Sequence, residues 1–452
     1  MSEALDALRE ATRNTPFENR LWLVGGCVRD DLLGLGGSPD LDLVLEGSSA
    51  EVAELLYRRG ASSIPPVTYA RFGTAMVHVQ GVNVEVVTAR RESYDPDSRK
   101  PDVEPATLEE DARRRDFTVN ALFRNLHTDE LWDPLGAGLD DLKTQTLRTP
   151  LDPVATFRDD PLRMLRAVRF RWKLGFQPAP GLFEAIREEA PRLAIISFER
   201  IHDEFAKMLL QPNADRAMAD LMDLGLLDQF APEFRAMVGV EQGRFHHLDV
   251  WEHTLLVLRN AGSGDLLLSL ACLLHDVGKP ATRFVDEEGN TRFFGHESLG
   301  ETMTREILRR LKFSNDDVDA VALLVKNHMR LGSAPKFSDS AARRLVRDLG
   351  EHLDRLMRLV EADAAGLRPG VRVLDLAPIK ETVERVRHQT PASTLESPLS
   401  GGEIMAELGL EPGPEVGAWK QKLTEMVLDG TLAPNDKKAA RSVLRAETRA
   451  QP

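Results

Sequence analysis

The chain has 452 residues, with 58 Lys or Arg against 72 Asp or Glu, for a net charge of −14. That length implies several domains, roughly two to four, and a composition of 42% hydrophobic and 29% charged residues is that of a soluble globular protein. The acidic balance excludes nucleic-acid binding by bulk charge, and aromatics at 6% disfavour a surface built mainly on base stacking. Phosphate contacts would therefore have to come from local clusters, and two stand out: Arg113, Arg114 and Arg115, then Arg158, Arg163, Arg166, Arg169, Arg171 and Lys173. No apolar run reaches the length of a membrane span, and the first residues do not read as a signal peptide. Cys27 and Cys272 sit in separate apolar stretches and are expected to be buried free thiols. The expectation is a cytoplasmic protein without a membrane partner; the oligomeric state is left open.

Along the chain, LWLVGG (21–26) reads as a buried strand running into a glycine turn, with VRDDLLG as the helix that follows. LDLVLEG (41–47) is a second strand, and Ser48 to Arg59 a helix. AMVHVQ and NVEVVTAR predict a hairpin around Gly81. Residues 92–112 are polar and rich in Pro and Asp, which predicts a mobile loop. From about Asp152 the pattern is almost wholly helical, with linkers near 366–370 and 390–402. The fold class is α+β: a mixed sheet with helices at the front, then a long all-α body. The expected divisions are 1–145, 146–240, 241–370 and a helical tail, 371–452.

In the head, Asp40 and Asp42 flank Leu41 at the start of a strand. Strand side chains alternate, so these two carboxylates point to one side and can grip one cation. Hard oxygen ligands suit Mg²⁺. Glu85, on the later strand opposite in facing to Val84 and Val86, offers a third carboxylate. Upstream, Gly25 and Gly26 let backbone approach a triphosphate, and Arg29 stands one turn into the helix after them.

Five segments in order, GGCVRDDLLG with PDLDLVLEG, RRRDFTVNAL, DPLGAGLDDL and DDPLRMLRAVRF, resemble the motifs of class II tRNA nucleotidyltransferases, the CCA-adding enzymes; bacterial poly(A) polymerases share most of the pattern. The resemblance implies a nucleotidyltransferase palm-like head in which Asp40 and Asp42 hold metal while Gly26 and Arg29 contact the triphosphate. It implies that Arg115 binds the incoming nucleotide and that Asn120 braces the site. Asp116 lies in the same motif, where a capping or hinge role stays open for it and for Asn120. The partners implied are CTP, ATP and the 3′ end of tRNA.

DDPLRMLRAVRF also has a logic of its own. Pro161 after an Asp suits a helix start, and Asp160, Arg163 and Arg166 at spacings of three are expected to share a face. A carboxylate acceptor beside a guanidinium donor matches the edges of cytosine and adenine and mismatches uracil and guanine. The resemblance implies that these residues act as a protein template. Asp159 departs from it, standing where the family usually has Glu. In this family the choice between C and A depends on a flexible loop, here 92–112 with Arg99-Lys100-Pro101-Asp102, whose near completeness favours an enzyme able to add A.

In the helical body, Val250, His253 and Val257 share one stripe, Val321, Val325 and His328 a second, and Leu356, Val360 and Asp363 a third. Ionisable groups would thus point into apolar interior, a cost that a bound metal resolves. EHTL, LLHDVGKP, GHE, NHM and EADAAG resemble the HD phosphohydrolase superfamily. The resemblance implies a divalent transition metal on His253, His275, Asp276 and Asp363, with His296 and His328 as further ligands of a two-metal version, and phosphodiester or phosphomonoester hydrolysis as its chemistry. Lys279 would contact phosphate or cap a helix end. His78, His127, His202, His246, His247, His352 and His388 read as structural or surface residues.

Lys437, Arg441, Arg445 and Arg449 line one face of the last helix, which brushes RNA or is simply solvated. Four readings compete with addition of a full CCA end: CC-only addition, A-only addition, poly(A) synthesis, and an HD hydrolase whose head merely binds RNA.

Overall fold

The computed structural model describes residues 2–36, 40–93, 102–243, 247–331, 337–368, 370, 375–391 and 394–448. It divides into two compact units, Met1–Arg235 and Ala236–Pro452.

Unit one runs α1 (Ser2–Thr12), β1 (Trp22–Val24), α2 (Gly26–Leu32), β2 (Asp40–Leu45), α3 (Ser49–Arg58), β3 (Val67–Tyr69), β4 (Thr74–Val79) and β5 (Val82–Thr88). There follow β6 (Arg90–Ser93), β7 (Asp102–Pro105), α4 (Leu108–Arg113), β8 (Phe123–Asn125), β9 (Leu131–Trp132), α5 (Gly138–Lys143) and β10 (Thr146–Leu147). The unit closes with α6 (Pro153–Asp159), α7 (Leu162–Leu174), β11 (Gln177–Pro178), α8 (Leu182–Glu189), α9 (Phe198–Leu209), α10 (Ala214–Asp223) and α11 (Leu227–Phe230).

Seven strands form one sheet in the order β3-β4-β5-β2-β1-β8-β9. β2 and β5 run parallel, with Asp42 opposite Glu85, and the other neighbours are antiparallel. Alternation sorts the two faces. Leu41, Leu43, Ala75, Val77, Val79, Val84 and Val86 are buried on one side, where α3 brings Val52, Ala53 and Leu56 against β4 and β5. Asp40, Asp42, Met76, His78, Asn83 and Glu85 occupy the other and stay partly open. Farther along that open side Val44 joins a core cluster with Val24, Ala89, Leu108, Ala112, Ala121 and Phe123, so α4 closes one end of it.

The hairpin about Gly81 forms as expected, with Gly81 at φ +78. The span expected to be a loop, 92–112, does not stay one. β6 pairs with β7, and α4 starts at a reciprocal capping box between Thr107 and Glu110. The capping pattern was present in the sequence but hidden in a polar run. Residues 94–101, with Arg99 and Lys100, lie outside the described residues.

Unit two contains α12 (Val250–Ala261), α13 (Leu266–Leu274), α14 (Lys279–Thr282), β12 (Arg283–Val285), β13 (Thr291–Phe293), α15 (His296–Arg310), α16 (Asn315–Asn327), α17 (Asp339–Leu349) and α18 (Leu353–Ala365). α19 (Ala377–Gln389), α20 (Gly401–Leu408), α21 (Pro414–Asp429) and α22 (Lys437–Thr448) complete it. α12 packs on α13 and α18, and α15 on α16. The β12–β13 pair corrects the expectation of an all-helical run; Gly289 at φ +81 makes its turn. On α22 the basic stripe is neutralised within the protein. Lys437 and Arg441 meet Glu403 of α20, and Arg445 meets Glu407, so the stripe holds two helices together; Arg449 lies outside the described residues.

Candidate functional site

Asp40, Asp42 and Glu85 share the open face of the head sheet. Burial, then Glu85, raise the Asp42 carboxyl to about 6; Arg115 opposes them, and Asp40 adds to the rise. A carboxylate raised first by burial and then by the acids beside it is short of positive charge, and with Asp40 and Glu85 on the same face the donor set fits a divalent cation. Gly25 abuts it. At φ +80, its missing Cβ would stand 3.1 Å from Asp42 Oδ2 and 4.0 Å from an Arg115 nitrogen. Gly26 begins α2, with Arg29 Nη2 at 3.6 Å from the place a Cβ would take.

Arg29 is buried and does not reach outward. It pairs with Asp30, donates to Asn120 Oδ1, and lies 4.9 Å from the centre of the Phe170 ring. Asn120 donates onward to Asp116 Oδ1 at 2.9 Å, and Asp116 Oδ2 accepts both Arg166 Nε and Nη2, at 2.9 and 2.6 Å. Arg166 also meets Glu204 at 3.4 Å, which Arg169 grips from the other side. A continuous polar chain thus runs from α2 through the 118–120 turn to α7 and α9. Burial pushes the Asp116 carboxyl up, but Arg166 and Asn120 outweigh it and hold it at about 2.

Arg115 and Arg114 both fork onto Asp111, which is fully buried and takes one arginine on each oxygen. Arg115 also covers the Phe123 ring at 5.6 Å.

The expected Asp160–Arg163 pairing on one helix face does not form. Asp160 is extended (φ −139), between α6 and α7, so it is off the face of α7. Its Oδ1 accepts from the Leu162 amide at 3.2 Å and its Oδ2 from Arg200 at 2.8 Å. Arg163 points elsewhere, donating to the carbonyls of Thr156 and Arg114. The break comes from Pro161, which disfavours helical backbone in the residue before it.

In unit two the six expected ligands fall into two triads: His253, His275 and Asp363, and Asp276, His296 and His328, with donor atoms in each within 4.8 Å. His275, His296 and His328 each make a hydrogen bond from Nδ1 to the carbonyl three residues back, Cys272, Phe293 and Val325. That leaves Nε2 as the lone-pair atom facing the cluster, the arrangement metal-binding histidines adopt. Burial, then His275, push His328 down to about 4, so it is a neutral ligand near pH 7. Asp276 Oδ1 and His275 Nε2 are buried without a hydrogen bond among the described residues. Orphaned acceptors of this kind fit a divalent metal.

His253 Nε2 lies 2.9 Å from Asp363 Oδ1. Gly366 leaves room for it, since a Cβ there would stand 2.9 Å from His253 Cε1. Lys279 is buried, donating at 2.6 Å to both Asp276 Oδ2 and Gln242 Oε1, so it belongs to the centre rather than to a helix end.

Sequence reasoning missed Asp111, Arg200, Glu204, Gln242 and Gly366. Asp111 stood four residues before Arg115 and could have been found by helical spacing; the others are set by distant packing. The remaining histidines keep out of both sites among the described residues: His127 touches Thr12 and the Asn19 amide, and His78 touches Asn83. His246 lies outside the described residues. Cys272 is buried, whereas Cys27 is only partly so, correcting that expectation.

A carboxylate-bearing mixed sheet, a glycine turn against it and an arginine-rich helical neck define a nucleotidyltransferase that also carries an HD-type cluster of candidate metal ligands. The family described as "Poly A polymerase head domain" matches residues 21–148, the one described as "Probable RNA and SrmB- binding site of polymerase A" 175–237, and the HD domain 244–377. The A-adding tRNA nucleotidyltransferase of Deinococcus radiodurans is 38% identical over 91% of this chain and 92% of its own length. The CC-adding tRNA nucleotidyltransferase of Thermus thermophilus is 35% identical over 92% of each. Among solved structures, the CCA-adding enzyme of Bacillus stearothermophilus in complex with CTP superposes with a TM-score of 0.71 at 26% identity, covering 100% of this chain and 98% of that one. The chain belongs to the tRNA nucleotidyltransferase family and is an enzyme of that class.

Proposed function

We propose that this enzyme transfers CMP and AMP from CTP and ATP to the 3′ end of tRNA without a nucleic-acid template. The observation that carries the reading is the underneutralised carboxylate set on the open sheet face, with Gly25 pressed against Asp42. Asp40, Asp42 and Glu85 would hold Mg²⁺. When bound, Mg²⁺ supplies positive charge that offsets charge developing on the attacking and leaving oxygens. Gly25 and Gly26 let the triphosphate approach the backbone, and Arg115 lends a cation beside Asp42. Arg29, Asn120 and Asp116 act from behind, fixing the head's glycine turn to Arg166 and thus to the neck.

Asp160 supplies the acceptor and Arg163 the donor that discriminate bases, from separate backbone segments rather than one helix face. C and A, each with an exocyclic amine beside a ring acceptor, satisfy that pair. The assigned divisions are a catalytic head (1–145), a nucleotide-selecting neck and RNA-binding body (146–240), an HD domain (241–370) and a tail (371–452). We place the activity in the cytoplasm; among the described residues no helix is long and apolar enough to cross a membrane.

The second reading is A-only addition, favoured by the 38% identity to an A-adding relative. Purified enzyme is given tRNA transcripts ending before the CCA, after CC, and after CCA, with Mg²⁺ and labelled CTP, ATP or both. Growth of the shortest transcript by CCA supports the proposal. Extension of only the CC-ended transcript selects the A-adding reading, arrest at CC the CC-adding one, and long ATP-only tails a poly(A) polymerase.

For the second unit, the two triads would hold divalent transition-metal ions and hydrolyse phosphate esters, with Lys279 placed to meet a phosphate oxygen. Release of phosphate from model mono- and diesters that vanishes in His275→Ala tests this.

A further inference from the structure

Transfer needs two substrates at the carboxylates, and the glycine turn that admits the triphosphate lies on the β1 side of Asp42. Gly25 comes from the β1 flank, and α7 is tied to that flank by Phe170 against Arg29 and by Lys173 with Asp30. The opposite flank, β5-β4-β3, ends at a sheet edge. In-register partners carry the carboxylate face straight across it: Asp42 faces Glu85, Glu85 faces Met76, and Met76 faces Val67. Residues paired in this way point to the same side, and Tyr69, two residues beyond Val67, does too.

That end of the face is apolar and open. Val67 is 53% exposed and Tyr69 51%, with Ile64 at 55% just before the strand and Phe72 at 46% in the turn just after it. Each keeps about half of its surface open among the described residues. Arg71 sits 5.9 Å from the Phe72 ring, adding a cation beside the aromatics. Aromatic side chains with nearby arginine are the chemistry that holds single-stranded nucleic acid by stacking. Three strand spacings separate β2 from β3, about 14 Å, the reach of about four stacked nucleotides.

We infer that the shelf formed by Val67, Tyr69 and Phe72 seats the unpaired 3′ end of the acceptor RNA, with Tyr69 as the stacking residue, and delivers its terminal hydroxyl along the Met76 row to Asp42 and Glu85. This rests on the nucleotidyltransferase reading and assigns the side from which the acceptor arrives. The shelf is continuous with the carboxylate face, which favours RNA over a protein strand at the β3 edge.

The test is equilibrium binding of a tRNA transcript lacking its CCA end to full-length enzyme without nucleotide, followed by steady-state extension. Tyr69→Ala is expected to weaken RNA binding and raise KM for tRNA about tenfold, with KM for CTP and ATP unchanged. Tyr69→Phe keeps the ring and should restore both to within about twofold of wild type. Because Tyr69 is half exposed, thermal melts of both variants should match wild type. Unchanged RNA affinity in Tyr69→Ala overturns the inference, and so does a loss confined to self-association, which would mark the β3 edge as a contact between copies. Since the binding measurement requires no chemistry, wild-type enzyme that binds RNA but extends nothing would overturn the transferase reading while leaving the shelf decided by affinity.

Discussion

Asp116 and Arg166, 50 residues apart, form a two-pronged ion pair that joins the head to helix α7. Each oxygen of Asp116 is used, Oδ1 by the Phe117 amide and Asn120 and Oδ2 by Arg166. The pair therefore couples the motif that follows Arg115 to the helix that carries Arg163 and Arg166.

Removing one partner should cost more than the pair contributes, because it strands a buried charge. Asp116→Asn is expected to destabilise unit one by about 3 kcal/mol, read as a fall in melting temperature, and to lower extension of tRNA with either nucleotide. The pH dependence carries a second signature. Asp116 is held at about 2 against an ordinary 3.8, so its stabilisation is present above pH 4 and is lost as pH falls through 2. A shift of that size corresponds to about 2 kcal/mol. In Asp116→Asn the melting temperature should fall less between pH 4 and pH 2 than in wild type.

Asp42 has the opposite sign. Its carboxyl, raised from 3.8 to about 6, favours the protonated form in the folded chain, so metal-free stability should decline as pH rises from 4 to 6. Asp42→Asn should then be more stable than wild type at pH 7 in EDTA, by about 2–3 kcal/mol. Mg²⁺ should raise the melting temperature of wild type but not of the variant, which should also lose extension. A variant less stable than wild type in EDTA would contradict the charge crowding.

Gly25→Ala separates backbone geometry from charge. Alanine is strained at φ +80, and its methyl would press on Asp42 Oδ2 at 3.1 Å. The stability loss should be about 1 kcal/mol, while kcat should fall by more than tenfold, on the order of what a misplaced reacting group costs. Equal extension rates for variant and wild type would show that the turn does not shape the site.

The second unit should bind metal through both triads independently. After loading and gel filtration, His296→Ala should retain about half of the wild-type transition metal, because His253, His275 and Asp363 stay whole. Chelation should lower the melting temperature of wild type by linkage. Gly366→Ala, which crowds His253, should reduce metal bound by the triad containing His253 without touching the other.

Much of this is legible in the sequence. The Asp40–Asp42 spacing puts two carboxylates on one side of any strand, and apolar stripes placed His253, His328 and Asp363 on inward faces. The shared face expected of Asp160 and Arg163 does not form, because Pro161 holds Asp160 in extended backbone outside the helix that carries Arg163. The tail stripe was legible only as a face: Lys437, Arg441 and Arg445 do share one, yet which acids meet it depends on how α20 packs.

What the sequence by itself determined is local: most of the strands and helices, the glycine turn, and the facing of Asp40, Asp42, Glu85, His253, His328 and Asp363, because backbone periodicity is a short-range property. Tertiary structure alone decided that Asp42 lies beside Glu85 and Arg115, that the six HD ligands part into two triads, and that Asp116 is locked to Arg166. Those relationships set the pKa values and metal fit, since electrostatics and burial act between residues brought together only when distant segments pack.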